Sequence, residues 1–294
     1  MLTRKELLDR MARAYPDLGP EECLQKLREL EDRTVKNLSE HIEHHTIQFW
    51  RNDHPENENH RPVPHGSGVL TRLGDRHFII TASHVVEDHD KTTIGVYTQK
   101  KDFFQLGPFV NTPTAESENN NNTDIAVWFI EPDIVEDIAP LDWWYDLRDA
   151  CYEHEESPEQ RYLVYGFPAT KVDIKLKEKK LRQDPFKFRT RGYSHTSEGK
   201  RARKNEAVNL LVEFHRKKVA DVATGHREWA PDPHGMSGCG LWYLDPETRR
   251  YHLAGIMIEW KQPEEQLPIL MATKIDMAIQ AINYYHSKCK IQPD

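Results

Sequence analysis

The sequence is short of cysteine and of long apolar runs, and both shortages exclude whole classes. Four cysteines in 294 residues (Cys23, Cys151, Cys239 and Cys289) lie far apart, with no CxxC pair. That rules out a disulfide-stapled secreted scaffold and a zinc ribbon. No stretch approaches the roughly 18 uninterrupted apolar residues that a membrane-spanning helix needs. The opening MLTRKELLDRMARAY is charged every few residues and has no apolar core of signal-peptide length, so a cytoplasmic protein is expected. No phosphate-binding glycine loop, dinucleotide fingerprint or solenoid repeat occurs. An overall basic field is also missing: 40 Lys and Arg stand against 48 Asp and Glu, a net −8. What is present is a chain 37% apolar and 10% aromatic, enough for a folded core and for one large domain or two small ones.

Helical signals come first. Thr3 and Glu6 form a capping box ahead of Leu7, Leu8, Met11 and Tyr15. After Gly19-Pro20 a second amphipathic stretch carries Leu24, Leu27, Leu30, Val35, Leu38 and Ile42, which predicts a helical hairpin. From about Thr46 the character changes. A turn-rich connector gives way to short β-type runs at Ser67–Thr71, Phe78–Ala82, Thr92–Tyr97, Ile125–Ile130, Tyr162–Tyr165, Val208–Phe214, Gly240–Leu244 and Leu253–Glu259. Short strands between turns and long loops predict an all-β barrel or sandwich. Helical spacing returns from Lys274 to Ser287 through Ile275, Ala278, Ile279 and Ile282. Ala115–Asn122 reads as a polar surface loop. Residues 171–204 hold 13 Lys and Arg against 4 Asp and Glu, leaving −17 on the rest of the chain. This segment is read as a solvated hairpin or insertion; the sharper alternative is docking of an acidic surface or a nucleic-acid backbone, and nucleic acid is otherwise not expected.

Three segments carry chemistry, and their order matters more than any one alone. Gly66-Ser67-Gly68-Val69-Leu70-Thr71, a turn and Phe78-Ile79-Ile80-Thr81-Ala82-Ser83-His84 make a hairpin that delivers a histidine directly after an apolar strand. Thr123-Asp124-Ile125-Ala126-Val127-Trp128 sets an aspartate before another. His234-Gly235-Met236-Ser237-Gly238-Cys239-Gly240 embeds a serine in glycines. Taken singly, each has an ordinary structural explanation. Together they supply a hydroxyl nucleophile, a base of near-neutral pKa, an acid to orient it, and a turn whose backbone N–H groups can face a developing oxyanion. Gly235 and Ser237 fit the donor role, with Gly238 and Gly240 allowing close backbone approach.

With these marks the chain resembles the trypsin-like (chymotrypsin-fold) serine peptidases, in their bacterial intracellular branch. GSGVLT, TASHV, DIAV and GMSGCGLW carry the resemblance, supported by Tyr165-Gly166-Phe167-Pro168 and Leu253-Ala254-Gly255-Ile256. It covers roughly residues 64–282. It implies two antiparallel six-stranded β-barrels, here with an α-helical N-terminal extension, a cleft between the barrels and a C-terminal helix. The corresponding division is 1–46 for the extension and 47–294 for the peptidase domain, with barrels at about 60–140 and 155–273 and the helix at about 274–287. It further implies His84 as base then acid, Asp124 as its orienter, Ser237 as nucleophile, and the Gly235 and Ser237 amides as the oxyanion hole. The expected activity is endopeptidase hydrolysis of a protein or peptide substrate through an acyl-enzyme, with no metal and no organic cofactor.

Several positions depart from the family pattern. Cys239 replaces a common glycine and is read as a packed residue, since the serine occupies the turn position. Along the specificity pocket, Pro231, Ile258, Glu259 and Trp260 are the expected substrate-binding residues. Trp260 would narrow the pocket, or Glu259 would attract a basic side chain. Without a leader or propeptide, control by a partner or ligand is expected, with the N-terminal helices as a docking element or as a plain structural clamp. Two alternatives stand beside the enzyme: a catalytically silent binding module on a peptidase fold, and a peptidase effector of a bacterial defence or signalling system. His41, His44 and His45 include an i, i+4 pair, but without an identifiable fourth ligand they read as a solvated helix end rather than a metal site.

Overall fold

Apolar runs of four to seven residues bounded by turns are too short for core helices, and all eight become strands. The computed structural model describes residues 4–26, 40–57, 61–107, 109–112, 123–153, 156–175, 180–193, 205, 207–214, 219–220, 227–228, 230–261 and 268–289. A helix spans Arg4–Ala14, and residues 20–26 and 40–44 are helical. Residues 27–39 of the expected second helix, and the Ala115–Asn122 loop, lie outside the described residues.

The first sheet contains β1 (Thr46–Asn52), β2 (Val63–Leu73), β3 (Arg76–Thr81), β4 (Thr93–Tyr97), β5 (Phe103–Gln105), β6 (Phe109–Asn111), β7 (Ala126–Ile130) and β8 (Tyr145–Asp146). Its antiparallel order is β5-β4-β1-β2-β3-β7-β6, and β8 adds a short parallel pairing to β2. The remaining strands are β9 (Arg161–Gly166), β10 (Val172–Lys175), β11 (Lys180–Gln183), β12 (Phe186–Arg191), β13 (Asn209–Glu213), β14 (Val219–Ala220), β15 (Arg227–Glu228), β16 (Gly240–Leu244), β17 (Tyr251–Lys261) and β18 (Ile269–Lys274). The second sheet is antiparallel in the order β12-β9-β16-β17-β18-β13. β10 pairs with β11 in a separate hairpin, and β14 with β15. The described residues of the basic segment 171–204 are thus part hairpin and part sheet, because β12 buries Phe186 and Phe188.

The protein is mainly β, with two curled antiparallel half-barrels compatible with a chymotrypsin-like fold. The expectation of two closed six-stranded barrels is corrected. In the first sheet the terminal strands β5 and β6 have three residues each and pair only inward. In the second, the edge strands approach without forming a ladder. One bridge joins Gly192 to Val212, Tyr193 N donates to Leu211 O at 3.1 Å, and the Thr190 hydroxyl donates to Glu213 O. Bulges at Phe49/Trp50, Leu241/Trp242 and Met257/Glu259 supply the curl.

A central cluster joins the sheets: Val69 and Val127 from one, Tyr165, Trp242 and Leu253 from the other. The C-terminal helix Ile275–Cys289 adds Ile275, Ala278 and Ile282, the apolar stripe of an amphipathic helix. Ile42 enters the same cluster from the N-terminal side, and Glu43 binds the buried Lys187 ammonium at 2.6 Å. One further reading is corrected here: His45 is not solvated. It is buried, its ring lies against Trp242 and Tyr145, and Nδ1 donates to Trp143 O at 2.7 Å. Burial pushes its pKa down to about 4, so at neutral pH it is a neutral imidazole whose Nδ1 carries the proton.

Candidate active site

The histidine arm is built by the β2–β3 hairpin. After β3, one 3-10 turn at Ser83–Val85 buries Ser83 and Val85 and leaves His84 at the sheet end. Ser83 Oγ ties this turn to Thr112 O at 2.8 Å. β7 pairs with β3 in a register that sets Thr81 opposite Ala126, which brings the preceding Asp124 alongside His84. Both carboxylate oxygens serve that residue: Oδ2 accepts from His84 Nδ1 at 2.7 Å and Oδ1 from the His84 amide at 2.9 Å. A carboxylate only accepts, so Nδ1 holds the proton and Nε2 is left as the basic nitrogen.

Asp124 sits at φ +24, a conformation that side-chain-bearing residues rarely adopt. Its neighbours hold it there. Thr273 Oγ1 donates to Thr123 O at 2.6 Å, the Ile125 amide donates to Thr112 Oγ1 at 2.9 Å, and the Thr112 amide donates to Ile125 O at 2.8 Å. Burial by itself would lower the His84 pKa. The hydrogen bond and charge of Asp124 oppose that, Glu87 and Glu259 add to them, and the net shift is upward from 6.5.

The serine arm is the turn before β16. Gly235 and Gly238 have φ of +89 and +88, and each lies where a Cβ would strike backbone. Built on Gly238, it would come within 2.0 Å of Ser67 O and 3.1 Å of Ala82 N, so the turn lies directly against the strand end that delivers His84. Nearly every peptide in the turn is anchored. Ala169 N donates to His234 O at 2.9 Å, and Met236 N to Pro233 O at 2.9 Å. Gly238 N donates to Met257 O at 2.7 Å and Cys239 N to Met236 O at 3.0 Å. The His234 amide binds Asp232 Oδ1 at 3.1 Å. Within 234–239, and among the described residues, only the amides of Gly235 and Ser237 donate to nothing. These are the two residues that the sequence nominates as oxyanion donors.

Beside Ser237 lies a cavity of about 260 Å³. Its deep lining is apolar: Phe188, Phe214, Met236, Cys239, Met257 and Leu270 are all buried. Asp232, His234, Glu259 and Ser237 itself are among its polar lining. Of the four sequence-nominated pocket residues, Ile258, Glu259 and Trp260 line it, Ile258 as the extra residue of the β17 bulge. Pro231 is not among the lining residues; the next two, Asp232 and Pro233, are. Burial drives the Cys239 thiol pKa far up, as for a packed side chain.

His84 and Asp124 are therefore joined directly, and Ser237 is held on a turn packed against their hairpin. Among the described residues no hydrogen bond links Ser237 to His84. Thr112 and Thr273, which fix Asp124, were not nominated by sequence, because a lone threonine carries no pattern. Phe188 and Phe214 carry no such signal either: Phe188 lies in the basic segment that reads as a solvated hairpin or insertion, and Phe214 simply ends a β-type run. No group of three His, Cys, Asp or Glu side chains among the described residues is placed to hold a metal ion. No protein-family model matches the chain, and no curated protein matches it.

Proposed function

We propose that the chain is a serine endopeptidase working through His84, Asp124 and Ser237. One observation carries the reading: the turn bearing Ser237 leaves only the Gly235 and Ser237 amides undonated, and it packs against the hairpin whose His84 is bound through Nδ1 to a carboxylate. In this reaction Ser237 Oγ attacks the peptide carbonyl while His84 Nε2 takes its proton. The two free amides receive the oxyanion, and Asp124 stabilises the imidazolium. His84 then protonates the leaving amine, and water, activated by the same nitrogen, hydrolyses the acyl-enzyme. Apo sites commonly hold the serine–histidine bond long, which accommodates its absence here.

The cavity sets the expected preference. An engineered cavity of about 150 Å³ accepts benzene, so 260 Å³ has room for an aromatic or long apolar side chain. The buried lining is apolar, and the carboxylates of Asp232 and Glu259 belong to half-buried residues. Peptides with Phe, Leu or Met before the scissile bond are expected to be cleaved at least about tenfold faster than those with Lys or Arg, a margin that one desolvated charge readily supplies. A panel of peptide anilides differing only at that residue measures it.

The second reading, a silent binding module on this fold, draws on the unmade Ser237–His84 bond. Digestion of an unfolded protein separates the two. Wild type should generate new termini and Ser237→Ala should not, whereas a binding module would generate none in either.

A further inference from the structure

Ser67, from the GSGVLT segment, has no part in the reaction as described, yet it is fully buried and bonded at every polar atom. Its amide donates to Ser237 O at 2.8 Å. Its hydroxyl donates to Gly235 O at 2.9 Å and accepts from the Phe167 amide at 3.0 Å. Its carbonyl accepts from Thr81 Oγ1 at 2.7 Å, three residues before His84.

These bonds fall on particular peptide planes. Gly235 O belongs to the plane joining 235 to 236, and Ser237 O to the plane joining 237 to 238. The plane between them carries the Ser237 N–H. Ser67 therefore grips the turn on both sides of an oxyanion donor, and through Thr81 it fixes that grip to the strand carrying His84. Of the groups that Ser67 itself contributes, the hydroxyl is the side-chain one. It does so from the first sheet, while Phe167 and the turn belong to the second. Gly235, at φ +89, has no side chain to resist rotation, so the 235–236 plane is held by the Ser67 hydroxyl bond on its carbonyl side and by the Met236 amide donating to Pro233 O on the other.

We infer that Ser67 is a positioning residue: its hydroxyl holds the 235–237 turn in the donor-out arrangement and keys the oxyanion site of one sheet to the histidine of the other. The inference rests on the proposed peptidase chemistry for its kinetic consequence, and on geometry alone for its structural one. Misplacing a catalytic group by about 1 Å can reduce rate on the order of 10²-fold. Ser67→Ala should accordingly slow phosphonylation of Ser237 by a fluorophosphonate ten- to a hundredfold. In that step Ser237 Oγ bonds to phosphorus, fluoride leaves, and His84 takes the hydroxyl proton. With peptide substrates the loss should fall on kcat more than on KM, since the cavity lining is untouched.

Thr71→Val is the matched control. It removes another fully buried hydroxyl of β2, one bonded only to Phe78 O at 3.2 Å and remote from the turn. If Ser67→Ala does not fold, Ser67→Cys, which leaves no void and replaces the hydroxyl by a larger, weaker donor, takes its place. The full chain is studied by labelling rate and by the ¹⁵N–¹H resonances of Gly235, Ser237 and Phe167. The inference holds if Ser67→Ala is slowed and those resonances shift, with Thr71→Val matching wild type in both. A folded Ser67→Ala labelled at the wild-type rate overturns it and leaves the peptidase reading standing. If wild type itself is not labelled, the peptidase reading fails, and the resonances decide Ser67's role: shifted in Ser67→Ala only, it positions the turn; unshifted, it does not.

Discussion

His84 and His45 show how differently one side chain is used within a single chain. His84 is bound by Asp124, and its pKa lies above 6.5. General-base chemistry needs the neutral imidazole, so labelling of Ser237 should rise with pH through an apparent pKa above 6.5. Asp124→Asn should lower that pKa and reduce the rate by about 10⁴, as loss of the orienting carboxylate does in comparable triads. A pH–rate profile of both proteins measures the two effects together. The folded state here holds its proton more tightly than the unfolded chain. The pair therefore adds stability below pH 6.5 and loses it as pH rises through the folded value. His45 has the opposite sign. With its folded pKa lowered to about 4, its contribution is complete above 6.5 and disappears as pH falls toward 4, a change on the order of 3 kcal/mol. Denaturant unfolding at pH 7 and pH 4.5 should show a smaller acid loss for His45→Gln than for wild type. His84, Asp124 and Ser237 stand out in the sequence because strand ends and glycines surround them. The burial of His45 is not legible, because helical spacing gives the face of a residue and not which tertiary neighbour, here Trp242, covers that face.

Among the elements, those with their own hydrophobic signal were legible and those defined by a neighbour were not. The run Gly240–Leu244 coincides with β16, and Ile125–Ile130 exceeds β7 by one residue, since each is a short apolar run between polar stretches. β5 and β6 have three residues each and exist through their pairing to β4 and β7. β12 lay hidden in a basic segment, where Phe186 and Phe188 alternate with Lys187 and Arg189. β1 followed directly on helical periodicity that ends at Ile42. That isoleucine is fully buried in the central cluster and anchors the otherwise exposed turn of residues 40–44 to the core. Ile42→Ala should cost about 2–4 kcal/mol in denaturant unfolding. A loss below about 0.5 kcal/mol would favour a detachable N-terminal element. Gly238→Ala tests the docking of the serine turn. A Cβ there would lie 2.0 Å from Ser67 O, so at least about 2 kcal/mol of stability should be lost along with labelling.

At the scale of the molecule, two open sheets share a core, and the candidate site lies where the Ser237 turn of the second meets the β2–β3 hairpin of the first. Two β units with a C-terminal helix were legible in the sequence. The absence of closure was not, since it depends on how far each sheet curls, and bulges such as Met257/Glu259 leave no pattern in residue type. The same bulge places Ile258 in the cavity lining, so the curl of the sheet and the shape of the pocket have one origin. No helix among the described residues is long and apolar enough to cross a membrane. On the proposed function, this junction makes Ser237 a nucleophile. Mass-spectrometric mapping of a fluorophosphonate adduct on the full chain tests it most directly. The predicted result is one adduct, on Ser237, absent from Ser237→Ala and strongly slowed in Asp124→Asn. No adduct on the folded wild type, or an adduct that persists in Ser237→Ala, would contradict it.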